Sequence, residues 1–203
     1  MRALPPLARR RAAAHRARPS LRARPHGAEA GPSGIIRPPV DPLTVSVTIS
    51  RPREEVFAYL VDIANHAEFS DHYLTDWRMT RVDTAGRGAG ARFRFLAPFQ
   101  RFDWADVTFI EVEPPRRIVQ AGRGGKYNRT RLRSVWELEP GAAGTTRVSL
   151  TVETRPAMRS DRLMESFGLR GWLKRKSAKA LRRVRSILEE GEGRGQRATI
   201  AGL

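Results

Sequence analysis

The segment from Leu43 to Asp62, LTVSVTISRPREEVFAYLVD, constrains the fold more than any other. Leu43, Val45, Val47 and Ile49 alternate with Thr44, Ser46, Thr48 and Ser50, which predicts a strand with one apolar face. Arg51-Pro52 stops it. Pro52 suits the first turn of a helix, where a missing N–H costs nothing, and Ser50 is placed to cap. Glu54 and Glu55 favour the positive end of the helix dipole, and Val56, Phe57 and Leu60 form an apolar stripe at helical spacing. Few folds begin with a strand fed straight into a short helix.

The rest of the chain narrows the choice. Residues 63–73, with Ala64, Ala67 and Phe69, suggest a second short helix. Strands are expected at 77–82, 91–95, 102–113, 116–121, 129–139 and 145–153. Three glycine-rich stretches, Gly86 to Gly90, Gly122 to Gly125 and Gly141 to Gly144, read as hairpin turns. None sits between a strand and a helix with a following Lys-Ser/Thr, so none reads as a phosphate loop. Short connections predict an antiparallel meander. A long final helix is expected from about Asp161 to Glu190, with Leu163, Phe167, Leu181, Val184 and Leu188 at helical spacings. Gly191 and Gly193 are its stop signals. The order is β-α-α-β6-α, an α+β chain.

Composition sets the outer bounds. The 203 residues suggest one domain, residues 42–190, with tails at 1–41 and 191–203. The first tail is rich in Pro, Ala, Gly and Arg without a period, and both tails are expected to be disordered. No apolar stretch follows the arginines at 9–11, so an export signal is not expected. There is no cysteine, which excludes disulfides and thiolate chemistry and suits a cytoplasmic location. The net charge of +17 sits at the ends: residues 1–41 hold nine Arg against Glu29 and Asp41, and residues 155–203 hold thirteen Lys or Arg against five acids. Residues 42–154 carry sixteen basic against fourteen acidic side chains.

Three segments carry a family resemblance: VSVTISRPREEVFAYLVDIANHAEFSD at 45–71, GRGAGARFRF at 86–95 and SVWELEPGAAGTTRVSLTVE at 134–153. Pro52-x-x-x-Val56-Phe57 and Asp62-x-x-Asn65 resemble the helix start and following motif of the SRPBCC superfamily. That superfamily includes START lipid-transfer, birch-pollen-allergen-like and polyketide cyclase/dehydrase-like proteins. The resemblance covers about 43–190. It implies a helix-grip fold, a curved antiparallel seven-stranded sheet wrapped around the long C-terminal helix. It also implies a cavity between sheet and helix for a hydrophobic small molecule or lipid. The expected lining is Phe57, Phe69, Met79, Phe93, Phe95, Trp104, Leu132, Trp136, Leu150, Phe167, Gly171 and Trp172. Gly168 and Gly171 either enlarge that space or mark a kink or helix start.

No catalytic motif is identifiable. If the chain is an enzyme, the resemblance points to a polyketide aromatase/cyclase, and Asp103, Asp106, Arg78, His72 and Tyr73 are the candidates for proton transfer. Asp103 and Asp106, three apart on one strand, point to opposite faces. Arg78 is the candidate for an inward arginine gripping an acidic group, because its strand alternates poorly. His66 and His72, near Glu68 and Asp71, lie six apart, which suits no shared helical face. They read as surface residues or as a polar pocket mouth, and neither a metal nor a cofactor is expected. Lys174, Arg175, Lys176, Lys179, Arg182 and Arg183 give the last helix a basic face. A solvated helix face is the first expectation for it, and peripheral contact with anionic membrane is the alternative that resemblance to coenzyme Q-binding members implies. Nucleic acid is not an expected partner, since Trp172 is the only aromatic beside those cations.

Overall fold

The computed structural model describes residues 42–97, 104–155 and 168–200. The expectations for residues 1–41, for Asp103 and for Phe167 fall outside them. The elements are β1 (Leu43–Ile49), α1 (Arg53–Leu60), a 3-10 turn (Ile63–Asn65), α2 (His66–Ser70), β2 (Leu74–Met79), β3 (Gly90–Phe95), β4 (Trp104–Glu113), β5 (Arg117–Gly124), β6 (Thr130–Pro140), β7 (Thr146–Arg155) and α3 (Arg170–Glu190). The strands form one curved antiparallel sheet in the order β1-β7-β6-β5-β4-β3-β2. β2 to β7 are a simple meander, and β1 closes the sheet beside β7. This is the helix-grip α+β fold.

The opening strand, corner and helix grip α3 directly. Leu43, Val45 and Ile49 face inward as the alternation requires. Arg51 bridges α1 and α3, its Nε standing 3.6 Å from Glu55 Oε1 of α1. Its Nε and Nη2 donate to the carbonyls of Leu188 and Glu189 at 2.8 and 3.2 Å. Those carbonyls belong to the last turn of α3, where no intrahelical donor remains. Thr146 Oγ1 donates to the Arg51 carbonyl at 2.8 Å and pins the corner to β7. Ser50 does not cap α1, since it lies two residues before the N-cap; its N–H donates to Glu189 Oε1 at 2.5 Å. Pro52 itself takes the N-cap position, its carbonyl accepting from Glu55 and Val56. In the Asp62-x-x-Asn65 motif, Asp62 Oδ1 accepts from the Ala64 N–H at 3.1 Å and Asn65 Nδ2 donates to the Tyr59 carbonyl at 3.0 Å. The motif shapes the corner between α1 and α2.

Two bulges bend the sheet, as an extra residue in one strand does. In β2 the register shifts between Thr75 and Arg78, with Asp76 at φ 53°; in β4 it shifts between Phe109 and Glu111. The first explains why the sequence of β2 alternates poorly, and β2 ends at Met79 rather than near residue 82. Gly122 lies within β5 and not in a turn. A Cβ there would stand 2.0 Å from the Asp106 carbonyl oxygen, so only glycine allows β4 and β5 to approach so closely.

α3 buries Ser177, Ala180, Leu181, Val184 and Ile187, a stripe at spacings of three, four and seven. It packs along β1 and α2. Gly191, at φ +73°, ends the helix with its N–H on the Ile187 carbonyl at 3.1 Å. The segment after it is not free of the domain as its composition suggested. Gly195 donates to the Glu68 carbonyl and Ala198 to the Ala64 carbonyl, while the Met79 N–H donates to the Thr199 carbonyl. Ala198 is buried, and Arg197 pairs with Asp62 and Asn65. Backbone hydrogen bonds make this attachment, and composition does not register them.

Candidate functional site

A cavity opens between the concave face of the sheet and the helices. It holds about 660 Å³ of space, its mouth included. α2 and the residues after it contribute His66, Phe69, Ser70 and Tyr73; β2 gives Leu74 and Trp77; β3 gives Phe93 and Phe95; β4 gives Val107 and β5 gives Gln120. Leu132, Ser134 and Trp136 come from β6, Leu150, Val152 and Thr154 from β7, and Leu173 and Ser177 from α3. The residues from β3, β6 and β7 sit at alternate positions, which is how a pleated strand lines one face.

The rings of the wall touch one another. Phe69 and Trp136 meet edge to face at 6.0 Å, as do Phe93 and Phe95 at 5.5 Å, and Trp77 leans on Phe93 at 4.6 Å. His66 stands inside this cluster, with Phe69, Phe109 and Trp136 at 5.1, 5.7 and 5.4 Å. It is only 4% exposed. Its Nε2 lies 2.8 Å from the Leu60 carbonyl. A carbonyl can only accept, so Nε2 carries the proton and the neutral ring keeps its Nδ1 lone pair. Burial pushes the imidazole down to about 4, against the opposing pull of the Leu60 carbonyl and Asp62.

Polar groups of the wall are short of partners. Among the described residues the indole N–H groups of Trp77 and Trp136 and the Ser177 hydroxyl are buried without a hydrogen bond. Burial pushes the Tyr73 hydroxyl up to about 12, which the nearby Ser177 hydroxyl partly offsets, although the two do not meet in hydrogen-bond geometry.

The residues singled out in the sequence divide sharply. Phe69, Phe93, Phe95, Leu132, Trp136 and Leu150 line the cavity, and so does Tyr73. Phe57 is buried in the core from α1, and Met79 is buried beneath the C-terminal segment; neither reaches the wall. Trp104 is on the outer face, 38% exposed with Arg94 over its ring at 5.5 Å, because Ala105 and Val107 are the inward residues of β4. Gly171 is exposed in the first turn of α3 and Trp172 packs edge to face on Tyr73 outside the wall. Gly168, at φ +87°, precedes the helix and marks its start.

The proton-transfer candidates divide likewise. Arg78 is exposed on the outer face, opposite Arg92, so it grips nothing in the cavity. Asp106 also points outward, where Arg92 donates to it at 2.6 and 3.0 Å and is held above its usual range by that pairing. His72 is half-buried and ties α2 to α3, its Nε2 on the Lys176 carbonyl at 3.2 Å. Burial lowers it; the Lys176 carbonyl opposes, and the charges of Lys179, Arg183 and Lys176 lower it further. His66, read from sequence as a surface or mouth residue, belongs to the wall. α2 spans five residues, too few for a periodicity to reveal its inner face. Glu68 is buried as well, accepting from Tyr59 Oη at 2.9 Å and pairing with Arg194. Burial, then Glu68, raises the Tyr59 hydroxyl. Among the described residues no group of three His, Asp or Glu is placed to hold a metal ion.

The basic face of α3 is smaller than its sequence. Lys176 Nζ donates to the His72 carbonyl at 3.3 Å and lies 5.9 Å from the centre of the Trp172 ring. Arg183 is bound by Asp71 and by the Gly193 carbonyl. Lys174, Arg175, Lys179 and Arg182 remain exposed. No helix among the described residues is long and apolar enough to cross a membrane.

The family described as polyketide cyclase/dehydrase and lipid transport matches residues 42–189. The chain belongs to this family. No curated protein matches it. Among solved structures it is similar to the KanY protein, at 16% identity, with 75% of this chain and 99% of that one covered and a TM-score of 0.61. A protein of Thermus thermophilus matches at 12% identity over 75% of this chain and 99% of that one, with a TM-score of 0.59. Truncated norcoclaurine synthase of Thalictrum flavum matches at 12% identity over 74% of this chain and 94% of that one, with a TM-score of 0.56. At these identities the likeness is one of fold.

Proposed function

We propose that this family member binds a ring-bearing hydrophobic molecule or lipid in the cavity between sheet and α3. One observation carries the reading: the wall combines packed aromatic side chains with buried polar groups that lack partners, Trp77 Nε1, Trp136 Nε1 and Ser177 Oγ. A buried polar group without a partner costs free energy, and a ligand bearing a few acceptors relieves it. An apolar fluorescent probe titrated into the protein tests this. Binding should saturate at one probe per chain and fall at least tenfold when Leu150→Trp fills the cavity. Equal binding by that variant would place the probe elsewhere.

A second reading, cyclisation of a poly-β-ketone chain, draws on His66 and Tyr73, the two titratable side chains among the described residues that line the cavity. A neutral imidazole and a phenol on one cavity wall supply a proton acceptor and a proton donor. Unchanged product profiles with His66→Gln and Tyr73→Phe would remove it.

A further inference from the structure

The strand registers place one transverse row of charges across the outer face of the sheet. Arg78 on β2 stands opposite Arg92 on β3, Arg92 opposite Asp106 on β4, and Asp106 opposite Arg123 on β5. Arg123 stands opposite Arg131 on β6, and Arg131 opposite Arg155 on β7. Six adjacent strands thus contribute five arginines and one aspartate to a single line. Neighbouring strands are about 4.8 Å apart. Asp106 is taken by Arg92. Arg155 reaches Glu153 at 3.8 Å, and among the described residues no carboxylate pairs with Arg78, Arg123 or Arg131. All five arginines are exposed.

Like charges directly opposite one another weaken a sheet. Arg78–Arg92, Arg123–Arg131 and Arg131–Arg155 are three such pairs. The row is therefore poorly explained by the needs of the fold, and an anionic partner would complete it. Two exposed aromatic side chains flank its middle strands on one side. Trp104 precedes Asp106 by two residues on the same face, and Tyr127, 79% exposed, lies in the connection from Arg123 to Arg131. Each has an arginine at its ring, Arg94 at Trp104 and Arg129 at Tyr127, the latter at 5.6 Å.

We propose that this outer face binds single-stranded nucleic acid, the arginine row contacting successive phosphates and Trp104 and Tyr127 stacking bases. Cations in a line together with exposed rings are what a sequence-tolerant single-strand site requires. A duplex hides its bases from such rings, and among the described residues the face presents no helix to enter a groove. The site is separate from the cavity, which lies on the opposite face of the same sheet. The aromatic groups sought beside the cations of α3 stand instead beside the arginines of the sheet.

The test is fluorescence anisotropy of the full chain with a labelled mixed-sequence 20-nucleotide single strand, across a salt series. Arg123→Gln/Arg131→Gln should weaken binding at least tenfold and flatten the log–log salt slope by about 1.4, roughly 0.7 for each phosphate no longer neutralised. Trp104→Ala should weaken binding about fivefold or more with the slope unchanged. Lys179→Gln/Arg182→Gln, on α3, should change neither as much. An unchanged slope in the sheet variant would overturn the proposal, as would equal binding of duplex, or binding of anionic vesicles or polyglutamate in preference to the oligonucleotide. Removing opposed like charges should leave the melting temperature of the sheet variant equal or higher. The Trp104→Ala arm reads the site without touching any charge.

Discussion

Lowering the pH should destabilise this protein through His66, and the size of the effect follows from its surroundings. The folded ring is held at about 4 by burial, against an ordinary 6.5 in the unfolded chain. Because the folded value is the lower one, protons bind the unfolded state first. The stabilisation is complete above pH 6.5 and is lost as pH falls from there toward 4. At about 1.4 kcal/mol per pH unit, roughly 2.5 kcal/mol of stability should disappear between pH 7 and pH 4.5. His72, also lowered by burial, acts in the same direction. The assay is urea denaturation at half-unit steps from pH 7.5 to 4.5, for wild type and His66→Gln, whose amide can still donate to the Leu60 carbonyl. Carboxylates contribute equally to both, so the difference between the two curves isolates His66. Wild type should lose about 2 kcal/mol more than the variant over that range. Parallel curves would refute an imidazole held below its ordinary range by burial.

Other outcomes follow from the same geometry. Trp136→Ala removes a ring only 3% exposed that touches both Phe69 and His66, and should cost about 3–5 kcal/mol in chemical denaturation. Gly122→Ala sets a methyl against the Asp106 carbonyl and should lower the melting temperature, while Gly144→Ala, with open space around its Cβ but a φ of +75°, costs only about 1 kcal/mol. Arg51→Ala frees the carbonyls of Leu188 and Glu189 and should cost about 1 kcal/mol, with faster amide exchange in the last turn of α3.

The fold was legible because its signals are local and repeated. The alternation of Leu43 to Ile49, the stop at Arg51-Pro52 and the clean period of β6 each name an element and its inner face. Five of the lining residues, Phe93, Phe95, Leu132, Trp136 and Leu150, lie on alternating strand faces of that kind. The errors arose where an element departs from its period. The bulge at Asp76 hid which side of β2 carries Trp77 and which carries Arg78. On β4 the run Trp104, Asp106 and Thr108 competes with Ala105, Val107 and Phe109, and aromaticity alone favoured the wrong set. His66 was missed because α2 is one turn long and its partners, Phe109 and Trp136, are distant in sequence. The arginine row is invisible to sequence for a related reason, since it exists only when five strand registers are known.

Native mass spectrometry of the protein purified from its own cells tests the central claim, a ligand-holding cavity between sheet and α3. The wild-type spectrum should show an added mass that organic extraction releases as a hydrophobic small molecule or lipid, and Leu150→Trp should lose it. The same adduct retained by Leu150→Trp would contradict the cavity as its site.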